Sequence, residues 1–297
     1  MKILLAIDPS SASQVAVDEA AARPWPKATE FAVIHVVDLT MSTRVPALIE
    51  DDKHSAEIVV KDAADKLARA GYQVTSEVFI GYPRRAVPDY AKDWGADWVM
   101  VGSHGQGAIR RFLVGSVAQA ALRRAPCSVA IVRGSAPPKD TPPGAKKILV
   151  ATDGSECAVA AVNSVASRPW PAGTETKVVS VVQIMTPEDD LSTTSLGSVY
   201  PASLVEDLIN DAQARAKDAV ASARKILEAA GLKVDDKDGT PVGDPRDVLL
   251  DRAKDYGANL IVLGTHGWSG VDRFLIGSVS ESVAFHAHCS VEVVRMR

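Results

Sequence analysis

Short apolar runs alternate along this chain with stretches whose apolar residues recur at helical spacing. Ile3 to Ile7 is a continuous apolar run closed by Asp8, which predicts a buried strand, and residues 11–22 form an alanine-rich helix stopped by Pro24. Phe31 to Val37 reads as a second strand. Residues 54–70 set Ile58, Val59, Ala63 and Leu67 at helical spacing, with Gly71 placed to end the helix. A third strand over Val74 to Ile80, a helix over 84–94 and a fourth strand over Asp97 to Val101 follow. A last helix over Ser116 to Arg124 and a fifth strand over Ser128 to Val132 complete the unit. Near-continuous apolar strands alternating with helices predict a doubly wound, Rossmann-like α/β fold, a parallel sheet covered on both faces.

The pattern then repeats. Lys2 to Asp8 (KILLAID) returns as Lys147 to Asp153 (KILVATD), and Arg23-Pro-Trp-Pro26 returns as Arg168-Pro-Trp-Pro171 at the same spacing of 145 residues. Further on the spacing becomes 162, and residues 81–133 align without a gap on residues 243–295 with 24 of 53 positions identical. This is an internal duplication. It predicts two tandem open parallel five-stranded sheets, a first domain over residues 1–134, a linker over 135–145 rich in proline and glycine, and a second domain over 146–297. The second copy carries 17 additional residues, mostly around 186–230, and the stretch 191–198 reads as a mobile loop.

Composition narrows the classes of function. A hydrophobic share of 46%, a charged share of 24% and a net charge of -4 are those of an ordinary soluble globular protein. Without a basic bias, binding to nucleic acid is not expected. No secretory signal pattern and no apolar run long enough to span a bilayer is present, so a cytoplasmic location is expected. The three cysteines, Cys127, Cys157 and Cys289, have no CxxC spacing and read as reduced, buried small hydrophobes. No dedicated metal motif appears.

In open α/β sheets ligands bind beyond the carboxyl ends of the strands, where strand order reverses. After the fourth strand come Gly102-Ser-His-Gly105, nine residues, and Gly115-Ser116-Val117 at a helix start. The second copy has Gly264-Thr-His-Gly267, nine residues, and Gly277-Ser278-Val279. Glycines let a ligand approach the main chain, and free amides at a helix start attract phosphate. The chain has neither a GxxxxGK[ST] loop nor a GxGxxG fingerprint after the first strand.

The spacing G-x2-G-x9-G-[S/T] resembles the ATP-binding branch of the universal stress protein family. The resemblance extends to Asp8, to His35-Val36-Val37, to Pro126-Cys127-Ser128-Val129, and to nearly the whole of both halves. It implies an adenine nucleotide alpha hydrolase-like fold. In that family the strand-one acid and main chain near the end of strand two hold adenine and ribose, and the glycine loop with the following Ser and Val amides holds the phosphates. Carried over, this implies Asp8, Val36, Gly102, Gly105, Gly115, Ser116 and Val117 in the first copy. In the second it implies Asp153, Val181, Gly264, Gly267, Gly277, Ser278 and Val279. The ligand implied is ATP, ADP or AMP, with Mg2+ arriving on a triphosphate.

The copies also differ. Pro9 stands where the second copy has Gly154, and Arg110-Arg111 stand where it has Asp272-Arg273. If Arg110 reaches the phosphates, the first site is the more cationic and binds triphosphate more tightly. His104 and His266 lie in the glycine loops without a neighbouring nucleophile motif, so no catalytic residue is assigned. The leading expectation is an ATP-binding stress-response sensor or switch with at most slow hydrolysis. Its alternatives are a protein-interaction scaffold of the same fold and, behind it, an ATP-dependent enzyme. Single-domain members of the family commonly pair through their last strand, which implies intramolecular pairing of Val129–Val132 with Val291–Val294. Further association into homo-oligomers is left open.

Overall fold

The structure, a computed structural model, describes all residues except 43–45, 106–113, 135–141, 143, 184–201, 236, 238, 268–275 and 297. The stretch 191–198, most of the linker, and the pairs Arg110-Arg111 and Asp272-Arg273 lie outside the described residues.

The first half runs β1 (Lys2–Ala6), α1 (Ser11–Ala22), β2 (Glu30–Asp38), α2 (Leu39–Ser42), α3 (Pro46–Arg69), β3 (Gln73–Gly81), α4 (Pro83–Trp94), β4 (Trp98–Gly102), α5 (Ser116–Arg124) and β5 (Ser128–Val132). The second runs β6 (Lys147–Ala151), α6 (Glu156–Ala166), β7 (Glu175–Val179), α7 (Ala202–Ala229), β8 (Lys233–Asp235), α8 (Pro245–Tyr256), β9 (Leu260–Gly264), α9 (Ser278–His286) and β10 (Ser290–Val294). Within each half the described strand pairs are all parallel, as the apolar runs predict. Two elements depart from the sequence pattern. The helix expected over 54–70 begins at Pro46, and the short α2 has no counterpart in the apolar spacing. The stretch just ahead of Ala56 is largely charged, so apolar spacing marks only the part of α3 that packs on the sheet.

The ten strands form one sheet in the order β3-β2-β1-β4-β5-β10-β9-β6-β7-β8. The halves meet at β5 and β10, the one antiparallel pair among the described strands, in the register Val291↔Ile131, Glu292↔Ala130 and Val293↔Val129. Alternation along the strands divides the core. Leu4, Val99, Val129, Val291 and Leu149 face α4, α5, α8 and α9, whereas Ile3, Leu5, Met100, Ala130 and Ile148 face α1, α3, α6 and α7. Both layers run across the seam, so burial of apolar surface holds the halves together as it holds each half.

One charged cluster lies in this apolar seam. Glu292, 1% exposed on β10, pairs with Arg23 and with Arg168, whose Nη2 donates to its Oε2 at 2.6 Å. Arg23 also pairs with Glu19 at 2.8 Å, and Lys146 reaches Glu19 at 2.8 Å. The guanidinium of Arg23 lies over Trp25 and Trp170, and that of Arg168 over Trp98 and Trp170. The repeated Arg-Pro-Trp-Pro segments are thus parts of the seam.

Cys127 and Cys289 are buried, as expected, but Cys157 is only half-buried, with its Sγ 3.8 Å from Met296 Sδ. Its place in the first turn of α6, beside the partly exposed Met296, keeps it out of the apolar layers.

Candidate nucleotide site

Strand order reverses between β1 and β4 in the first half and between β6 and β9 in the second. A crevice therefore opens beyond the carboxyl ends of those strands, and described residues singled out in the sequence, Asp8, Gly105 and Gly115 among them, gather around it.

Asp8 follows β1. Its Oδ1 accepts from Ser13 Oγ at 2.6 Å and from the Ser10 amide at 3.2 Å, while its own amide donates to Ser13 Oγ at 2.9 Å. Ser10 is also the N-cap of α1. These bonds hold Oδ1 and turn Oδ2 toward Gly105, where a Cβ would stand only 2.6 Å from it. Gly105 is therefore glycine because the carboxylate occupies the space a side chain would need. Gly115 closes the loop: its amide donates to Ser103 O at 2.7 Å, and a Cβ there would lie 3.2 Å from His104 Cα. Asp8, Gly105 and Gly115 are thus contiguous.

Gly115 is the N-cap of α5 and supplies no side-chain cap, so Ser116 and Val117 open the helix with amides that have no acceptor within it. Helices α1, α6 and α8 instead begin at Ser10, Ser155 and Asp244, each accepting from a first-turn amide. The start of α5 is suited to an anion. Gly102 also meets a packing demand. A Cβ on it would lie 2.7 Å from the Ala12 carbonyl, so its lack of side chain lets β4 pack against α1.

Val36 lies near the end of β2, beyond the last β1–β2 pair, Ala6↔Ile34. Ile7 N donates to Ile34 O at 3.0 Å, so Ile34 and, two residues on, Val36 turn their main-chain groups toward β1. Val36 therefore presents its amide and carbonyl above the crevice. Next to it His35, absent from the residues assigned by sequence, has a buried Nδ1 without a hydrogen-bond partner among the described residues. Burial pulls its imidazole below the ordinary range, against the opposing charge of Asp8.

The second half repeats the arrangement. Asp153 Oδ1 accepts from the Ser155 amide at 2.9 Å, and Asp153 Oδ2 occupies the space a Gly267 side chain would need. Gly264 packs on Cys157 as Gly102 packs on Ala12. The amide of Gly277, the uncapped start of α9, donates to Thr265 O at 2.7 Å and leads into Ser278 and Val279. Ser180 and Val182 donate to Gly239 O and Pro241 O, so Val181 between them faces β6.

The two sites are not identical. Gly154 adopts φ 79°, a left-handed conformation closed to Pro9 in the first copy. Ser13, which holds Asp8, is replaced by Ala158, and Asp153 is exposed where Asp8 is half-buried. The first turn of α9 carries Glu281, paired with Arg123 at 2.5 Å, where α5 has no acid. Among the described residues no cluster of acidic, histidine or cysteine side chains is placed to hold a metal, and no helix is long and apolar enough to cross a membrane.

Comparisons with known proteins agree with this architecture. The profile of the Universal stress protein family matches residues 1–133 and again 144–295. A Staphylococcus epidermidis protein bearing the universal stress protein name is 31% identical over 147 residues, covering 48% of this chain and 89% of its own. A Staphylococcus aureus protein of the same name is 29% identical over 147 residues, with the same 48% and 89% covered. In fold, the chain is similar to a universal stress protein from Archaeoglobus fulgidus, with a TM-score of 0.64, 21% identity and coverage of 99% of this chain and 96% of the other. With the family profile matched twice, over both repeats of the duplication, this chain belongs to the universal stress protein family.

Proposed function

We propose that each half binds an adenine nucleotide, ATP above all, and that the protein acts as a stress-response sensor or switch with at most slow hydrolysis. The observation that carries this reading is the duplicated contiguity of an acid, a glycine whose side-chain space that acid fills, and a helix start left without a side-chain cap. An acid can accept from ribose hydroxyls or an exocyclic amine, and the amides of Ser116 and Val117 or of Ser278 and Val279 can donate to phosphate oxygens. The main chain of Val36 and Val181 supplies the remaining polar edge for the base. These groups fit the nucleotide, and Mg2+ would arrive on its phosphates. Ser13 and the absence of a first-turn acid in α5 favour the first site for triphosphate.

The test is to purify the protein without added nucleotide, denature it, identify any released small molecule by mass spectrometry, and titrate the protein with ATP by calorimetry. ATP, ADP or AMP at one or two per chain supports the reading. Folded protein that releases no nucleotide and gives no titration heat rejects it in favour of a protein-interaction scaffold.

A further inference from the structure

Two arginines cross the seam in opposite directions. Arg133 follows β5 and Arg295 follows β10, at equivalent places in the repeat. Arg133 Nη2 donates to Ala284 O at 2.7 Å and Phe285 O at 3.4 Å, Nη1 donates to Cys289 O at 3.3 Å, and its amide donates to Ser290 Oγ at 3.0 Å. Arg295 Nη2 donates to Leu122 O at 3.3 Å, and its amide donates to Ser128 Oγ at 3.1 Å. The helix carbonyls reached lie in the last turns of α9 and α5, where no intrahelical donor is available. A cation there also suits the helix dipole. Burial pulls Arg133 down to about 10, so it remains charged at neutral pH.

The other ends of these helices are the proposed phosphate cradles. The strand end beside each arginine is in turn bonded to the glycine loop of its own half, since Ser103 N donates to Val132 O at 3.0 Å and Thr265 N to Val294 O at 3.1 Å. A nine-residue helix is a short rod of about 13 Å, so a shift at one end is carried to the other.

We propose that Arg133 positions the phosphate-binding end of α9 and Arg295 that of α5, so that each half sets the cradle of the other. The proposal rests on the nucleotide reading given above. Arg133 and Arg295 are positioning residues, since their guanidiniums bond carbonyls at the opposite ends of these helices from the cradles.

The experiment is ATP calorimetry on the full chain with one site closed at a time. Gly105→Val, which drives a side chain into Asp8, reports the second site, and Gly267→Val reports the first. Arg133→Met is expected to weaken ATP binding about five- to tenfold in the Gly105→Val background and less than about twofold in the Gly267→Val background. Arg295→Met should show the reverse, and Arg133→Lys, which keeps a cation at the helix end, should recover most of the loss. Equal weakening of both sites by Arg133→Met, or no weakening of either, overturns the proposal. If the unmodified protein takes up no ATP, the nucleotide reading falls and hydrogen exchange decides the positioning. Faster exchange of the hydrogen-bonded amides over residues 281–286 in Arg133→Met, with 119–124 unchanged, supports it, and unchanged exchange at both overturns it.

Discussion

Replacing Glu292 by alanine strands two guanidiniums that are 4% and 5% exposed, each left without its carboxylate on β10 while still stacked on tryptophans of both halves. Removing one partner of a buried ion pair costs about 3–5 kcal/mol. Arg23 keeps Glu19, and Arg168 keeps the Ser164 carbonyl at 2.8 Å, so the loss should fall near the lower bound, about 3 kcal/mol. The acid side of the pH range bears on the same cluster. Burial works to raise the pKa of Glu292, and the charges of Arg168 and Arg23 override it, leaving it lowered from 4.5 to about 2. A lowered folded pKa gives stabilisation that is complete above the unfolded value and lost as pH falls through about 2. The sharper test moves the carboxylate. Ala130 is buried directly opposite Glu292 on the same face, at the equivalent place in the repeat. In Ala130→Glu/Glu292→Ala the acid should therefore meet the same two arginines from the other side. Urea unfolding is followed by tryptophan emission, with Trp25, Trp98 and Trp170 stacked on the guanidiniums. Each single substitution should lower stability, and the double should recover at least half of the loss. A double variant as unstable as the sum of the singles refutes the pseudo-symmetric account of the seam. Glu292→Ala should also lose the acid-dependent slope between about pH 4.5 and 2.

Gly102→Ala should destabilise the chain by about 1–3 kcal/mol in the same urea assay, because its Cβ would meet the Ala12 backbone rather than a movable side chain. An unchanged midpoint would show that β4 and α1 can separate without cost. Gly154→Pro should lose about 2 kcal/mol or more, since proline cannot reach φ 79°, whereas Pro9→Gly should cost less than about 1 kcal/mol. Equal effects in thermal melts would mean the two turns share one backbone path.

The doubly wound fold was legible because its buried strands are apolar on both faces and its helices are bounded by glycine and proline, as at Gly71 and Gly95. The duplication placed the crevice, since the same glycine spacing follows the fourth strand twice. Other features were not legible from spacing. The packing demand at Gly102 is one, since it depends on the distance between β4 and α1. Ser13 lies in an alanine-rich helix, and only the turn at Asp8 brings its hydroxyl to the carboxylate. Glu292 was visible as an acid within an apolar run, yet its partners lie 124 and 269 residues away in sequence. Arg133 and Arg295 are identical in the two copies, but their targets are carbonyls, which carry no side-chain signal.

A lone acid at the centre of the seam, where Glu292 faces Ala130, would be unavailable to a symmetric pair of identical chains. A residue on a two-fold axis meets its own copy, so two carboxylates or none can stand there. Covalent fusion of the halves removes that parity, and it also uncouples the crevices: Ser13 can differ from Ala158, and Pro9 from Gly154, without the partner changing with it. Each molecule thus carries one crevice of each kind in a fixed ratio, an arrangement that two identical chains cannot hold.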